Sequence, residues 1–175
     1  MNEFNTKRLV LASLLAGISG MLEIIPGIPF DVPFPWYNKV SWDLTGIPMV
    51  FSLMSTGLTG AIYTVLIGCS FIIFRGNIYG GIFKMIAELS TIIIFAIISR
   101  KFIPKIIWSI TSRVIIMTGI NYIFIPIFYG VPTSFVVGIL PSLAILNGSQ
   151  AIINILPAKI IYSRLSDSRL IRILS

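Results

Sequence analysis

Apolar residues run along most of the chain in long stretches, broken by proline, glycine or basic residues. The stretches cover about residues 9–25, 44–55, 57–74, 80–99, 106–128 and 136–162. Pro26 halts the first, Gly57 can separate the second from the third only by a tight turn, and Arg75 with Gly76 closes the third. Arg100, Lys101, Pro104 and Lys105 punctuate the fourth, and Arg164, Arg169 and Arg172 mark the end of the sixth. A helix needs about 20 apolar residues to cross roughly 30 Å of hydrocarbon, so six crossings use about 120 residues and leave no room for a soluble domain. The pattern predicts an all-α bundle of six transmembrane helices in one domain, residues 1–175. Residues 26–42 form a connecting loop whose prolines, at 26, 29, 33 and 35, predict irregular backbone.

Composition sharpens this picture. Of the 175 residues 56% are apolar and 11% charged, against about a quarter charged in soluble domains. Basic residues cluster at the ends of apolar stretches, so the net charge of +7 reads as a topology signal rather than a nucleic-acid footprint. With alternate ends on alternate sides, one side carries Lys7, Arg8, Arg100, Lys101, Lys105, Arg164, Arg169 and Arg172, the other Lys39 and Arg75. This excess places both termini in the cytoplasm of a multi-pass cell-membrane protein and turns the 26–42 loop outward. The first stretch is long enough to span and runs into prolines, so it reads as a retained helix rather than a cleaved signal.

Enzyme classes are excluded by what the chain lacks. It has no histidine, a single cysteine, Cys69, and no Gly-Lys-Ser/Thr phosphate loop; catalytic dyads, metal clusters and ATP hydrolysis are therefore not expected. Asp31, Asp43 and Asp167 lie in loops and a tail, which argues against an intramembrane aspartyl protease.

Two groups of residues carry candidate function. Small residues recur every fourth position at Ala12, Ala16 and Gly20, and again at Ser52, Thr56, Gly60, Thr64 and Gly68. Such stripes permit close helix approach, either inside this bundle or against another membrane subunit. The second group is polar: Glu23, Lys84 and Glu88 toward the outer ends, with Arg113 and Lys159 read as snorkelling toward the cytoplasm. Lys84 and Glu88 are one turn apart and can pair or share a pocket. Asn121, Tyr122, Asn147, Gln150 and Asn154 add hydrogen-bonding groups that hydrocarbon does not tolerate unpartnered. Trp42 and the other aromatics of the outer loop suit an interfacial belt or a ligand lid.

These residues resemble the substrate-binding S components of energy-coupling factor (ECF) transporters, most nearly the riboflavin-specific branch. Ala12-Ser-Leu-Leu-Ala16 is similar to the family's Ala-x-x-x-Ala contact motif, and Trp42-Asp43-Leu44-Thr45-Gly46-Ile47-Pro48 resembles the Asp-Phe-Ser-Asp-Ile-Pro opening its second helix. Ala87-Glu88-Leu89 and Asn121-Tyr122 resemble its Gly-Glu-Leu-Ala-Asn and Asn-Tyr. The chain departs from the pattern at Gly46, where the family has a second Asp, at Gly68 and Cys69 in place of Lys-Asn, and at Asn147 in place of a sixth-helix Lys. The resemblance implies a subunit that binds a vitamin, riboflavin first, from outside, with no cofactor of its own. It further implies docking through the Ala12, Ala16 and Gly20 face on a transmembrane coupling subunit driven by a pair of ABC-type ATPases. The expected ligand contacts are Trp42, Asp43, Lys84, Glu88, Asn121 and Asn147. The altered sixth helix leaves another vitamin or precursor open, and a structural subunit that binds nothing is the rival reading.

Overall fold

The computed structural model describes residues 6–25, 30–37, 40–98 and 101–167. Pro26, Pro29, Lys39, Arg100, Arg169 and Arg172, which entered the sequence argument, lie outside them. Each apolar stretch is a helix: α1 (Thr6–Ile24), α2 (Gly46–Thr56), α3 (Leu58–Phe74), α4 (Ile78–Ile97), α5 (Phe102–Tyr129) and α6 (Thr133–Asp167). By length and composition α4, α5 and α6 can cross a membrane; α2 and α3 are shorter apolar helices. At 1.5 Å per residue the 11 residues of α2 reach only about 16 Å. The segment preceding it folds as a hairpin.

That segment corrects the expectation of irregular backbone. Asp31–Pro33 (β1) and Ser41–Asp43 (β2) form a two-stranded antiparallel hairpin, with Asp31 opposite Asp43 and Val32 opposite Trp42. Pro33 is tolerated because it ends its strand in a ribbon that has only edges. Inside the turn, the Phe34 amide donates to the Val40 carbonyl at 2.9 Å. The Phe34 ring is fully buried, edge-on to Trp36 and Trp42 at 5.1 and 4.9 Å. Aromatic packing thus supplies what the short ladder cannot.

α2 and α3 fold back on each other at Gly57, whose φ of 85° lies where a side chain would be strained. The helices close into a ring in the order α2, α1, α3, α4, α5, α6, with α6 returning to α2. One apolar core, including Met49, Val65, Ile92 and Ile155, fills the end nearest the N terminus (the proximal end) and the middle. A second, including Phe34, Val136 and Leu143, anchors the hairpin on α6 at the distal end.

The small-residue stripes lie inside this ring. Ala12, Ala16 and Gly20 are buried, with the Thr64 hydroxyl 3.2 Å from the Ala12 carbonyl oxygen and Phe71 occupying the space a Gly20 side chain would need. The close approach they permit in this structure is to α3. Ser52, Thr56 and Thr64 do not share one helix face, since the chain reverses between them. Their hydroxyls meet across the turn instead, Ser52 lying 2.8 Å from Thr64 and 3.1 Å from Thr56.

Candidate functional site

Polar side chains collect at the distal end, where the helices splay around a cavity of about 710 Å³. Its wall is built from α1, the hairpin, and α3 to α6, with Glu23, Asp31, Arg75, Lys84, Asn121 and Asn147 among the polar lining. Tyr37, Phe83 and Tyr129 give it aromatic surface. This volume falls inside the roughly 300–1,000 Å³ range of small-molecule sites, which combine apolar walls with a few fixed polar groups.

Two ionic assemblies shape it. At the mouth, the Lys84 ammonium of α4 lies 2.9 Å from a Glu23 carboxylate oxygen of α1 and also pairs with Asp43 of β2. One cation therefore ties two helices and the hairpin together. Asp43 also accepts from the Thr45 amide at 3.0 Å and from the Thr45 hydroxyl. Burial alone would raise its pKa, but the Lys84 charge and the hydrogen bonds from Lys84 and Thr45 outweigh that and hold the carboxyl below the ordinary carboxylate range. A depressed carboxyl contributes stability that is complete above its unfolded-state pKa and is lost as pH falls through the folded value. Thermal stability is expected to be insensitive to this group from pH 8 down to about pH 5 and to drop below the ordinary carboxylate range. Asp43→Asn should be less stable at neutral pH and show a smaller acid loss, which differential scanning fluorimetry across pH would register.

Beneath the mouth, Glu88 (0% exposed) and Arg113 (4%) form a buried pair at 3.0 Å. Asn154 donates to both Glu88 oxygens, at 3.0 and 2.9 Å. Arg113 also reaches Thr91 at 3.3 Å and Asn147 at 3.4 Å. Gln150 extends the network: its side chain donates to the Asp43 carbonyl at 2.7 Å and to Asn154 at 2.9 Å, and accepts from the Asp43 amide at 3.2 Å. Gly46 packs directly on Asn154, so a side chain there would displace the amide from Glu88.

The structure brings Asp43, Lys84, Asn121 and Asn147 to the cavity wall. Glu88 is fully buried behind that wall and acts on the cavity through Arg113. Trp42 lies outside the lining: its ring packs on Phe34 and its Nε1 donates to Ser149 at 2.8 Å, fastening the hairpin to α6. Lys84 and Glu88 do not pair despite their spacing, because each has partners on other elements. Arg113 does not snorkel. Lys159 does lie at the proximal end, 5.7 Å from the Phe102 and Tyr162 rings. Phe83 and Arg75, which carried no ligand expectation, line the cavity; neither shows a sequence signal separating it from other end-of-span residues.

A buried Asp31 carboxylate oxygen and the Asn121 amide, both in the wall, lack protein partners among the described residues. Asn121 is 6% exposed. Asn147, by contrast, already donates to the Leu143 carbonyl at 2.8 Å. The Asn121 amide faces the cavity with its donors and acceptor uncommitted, available to a solute there.

This constellation sits in a known architecture. The structure superposes on the S component of a bacterial ECF transporter with a TM-score of 0.77, over 92% of this chain and 96% of that one, at 22% identity. The chain has the S-component fold. No family model matches it, and no curated protein matches it. At this identity the likeness establishes architecture, and the ligand has to be argued from the cavity.

Proposed function

We propose that this protein is the substrate-binding membrane subunit of an ECF-type uptake transporter and that it captures a small neutral vitamin, riboflavin first among candidates, in the distal cavity. The observation that carries this reading is Asn121: an amide with no protein partner among the described residues, in the wall of a cavity of ligand size in an S-component fold. An amide offers a donor and an acceptor side by side, the complement of a heterocycle edge carrying N–H next to C=O. Phe83, Tyr37 and Tyr129 provide apolar faces for a flat ring, and Asn147 and Lys84 stand within the same wall.

In the same reading the six-helix bundle is embedded in the plasma membrane with both termini in the cytoplasm. Lys7, Arg8, Lys101, Lys105 and Arg164 at the proximal end against Arg75 at the distal end support that orientation. The cavity then opens outward. Transport relies on a coupling subunit and paired ATPases, since the chain carries no phosphate loop. The α1 face left available for a coupling subunit in the closed ring is Val10, Leu14, Ile18 and Met21, all exposed; engaging Ala12, Ala16 and Gly20 instead requires α1 to part from α3.

Purified protein in detergent, heated with a panel of vitamins, tests this. Riboflavin should raise the melting temperature. Asn121→Ala should weaken its binding about tenfold, the worth of one hydrogen-bonded group, without lowering the melting temperature of the ligand-free protein. A panel in which no vitamin shifts the melting curve sinks the proposal, as does an Asn121→Ala variant that unfolds early in the absence of ligand.

A further inference from the structure

At the proximal end, opposite the vitamin cavity, the ends of α2 to α6 surround a second hollow of about 590 Å³ that is open on one side. Its surface is apolar, with Met54, Leu58, Phe95 and Phe102 in the lining, apart from two lysines, Lys105 of α5 and Lys159 of α6. Both side chains are partly buried. Lys105 Nζ lies 5.2 Å from the centre of the Phe95 ring, and Lys159 Nζ 5.7 Å from those of Phe102 and Tyr162. The Phe95 and Phe102 rings touch edge-on at 6.0 Å, so the two ammonium groups flank one aromatic cluster.

Aromatic faces attract a cation but give it no hydrogen-bond acceptor. Among the described residues neither ammonium has a carboxylate within ion-pair distance, and Glu23, Asp43 and Glu88 are engaged elsewhere. Two partly desolvated cations with unfilled donors call for an anion, and the apolar hollow beneath them calls for hydrocarbon. A soluble anion satisfies only the first demand. An anionic phospholipid satisfies both at once, its phosphate between the ammonium groups and an acyl chain along Met54, Leu58 and Phe95. We propose that this hollow is a binding site for an anionic phospholipid, held through Lys105 and Lys159.

The site shares no residue with the vitamin cavity, so its test is independent of the ligand assigned there. Full-length protein in detergent is titrated with phosphatidylglycerol or phosphatidylcholine of matched chains, and bound lipid is counted by native mass spectrometry. Phosphatidylglycerol should bind more tightly by on the order of tenfold, given the attraction of an anionic headgroup to each of two lysines. The K105Q/K159Q variant should erase that preference, whereas K101Q, altering an exposed lysine outside the hollow, should keep it. Ala96→Trp, which fills the hollow without changing charge, should lower retention of both lipids. Soluble glycerol phosphate should fail to displace the bound lipid. Equal affinity for the two lipids, a preference that survives K105Q/K159Q, retention unaltered by Ala96→Trp, or displacement by glycerol phosphate would each overturn the assignment.

Discussion

Arg113→Met is expected to lose most folded protein on extraction into detergent, while the double variant Arg113→Met/Glu88→Gln recovers a large part of it. The reason is asymmetry in the energetics of buried charge. Removing one member of a buried pair leaves the other uncompensated and costs about 3–5 kcal/mol, whereas replacing both by neutral groups is often close to neutral. Glu88 is fully buried behind the cavity wall, so without Arg113 its charge has no cation paired with it among the described residues. Gln keeps an acceptor for the Asn154 amide, which lies 3.0 Å from Glu88 Oε1. Against a typical total stability of about 5–15 kcal/mol, the single change is severe. Fluorescence-detected size exclusion after graded heating separates the variants. Equal losses in the single and double variants would show that side-chain shape, not charge pairing, is what matters there.

Much of the architecture was written in the order of apolar stretches and their breakers. Gly57 marked the turn between α2 and α3 because no larger residue readily adopts its backbone angle. The prolines of the 26–42 loop pointed to irregular chain and concealed a hairpin, because the hairpin depends on Phe34 being buried against Trp36 and Trp42, contacts that no local rule supplies. Arg113 was misplaced for a geometric reason. α5 begins at Phe102, earlier than the charged linker suggested, which puts Arg113 about 16 Å along the helix axis, too deep to reach an interface. Its partner Glu88 lies 25 residues away on another helix, beyond the reach of any spacing argument.

The candidate site was legible in kind rather than in wiring. Polar residues near span ends marked a polar chamber, since hydrocarbon tolerates such groups only where they pair or line a cavity. Which of them would be consumed by the protein could not be read, because that depends on pairings among five helices. Trp42 has the composition of a stacking platform but is used to fasten the hairpin, through Ser149. Asn121 and Asn147 look alike in sequence; only the fold shows that one amide is engaged and the other free. Ala12 and Ala16 illustrate the same limit, as their spacing permits a close neighbour without saying that the neighbour is α3.

Lys84→Met should open the mouth of the cavity. The lysine is the only cation paired with either Glu23 or Asp43 among the described residues, and those carboxylates come from α1 and from β2. Without it, Glu23, Asp31 and Asp43 face one cavity entrance with like charge, and the hairpin loses its tie to α4. These side chains retain 10–17% exposure, so the cost falls short of a fully buried pair, at about 2 kcal/mol. That weakens ligand binding by up to about thirtyfold if the closed hairpin is the binding form. Hydrogen exchange should speed up at residues 41–45 while the α3 interior stays protected. Neutralising the partners in the same background, Lys84→Met/Glu23→Gln/Asp43→Asn, should restore part of the melting temperature by relieving repulsion, but not the affinity. Unchanged exchange at 41–45 in Lys84→Met would mean that Trp42 and Phe34 alone hold the hairpin down, and that the ionic tie at the mouth does not control access.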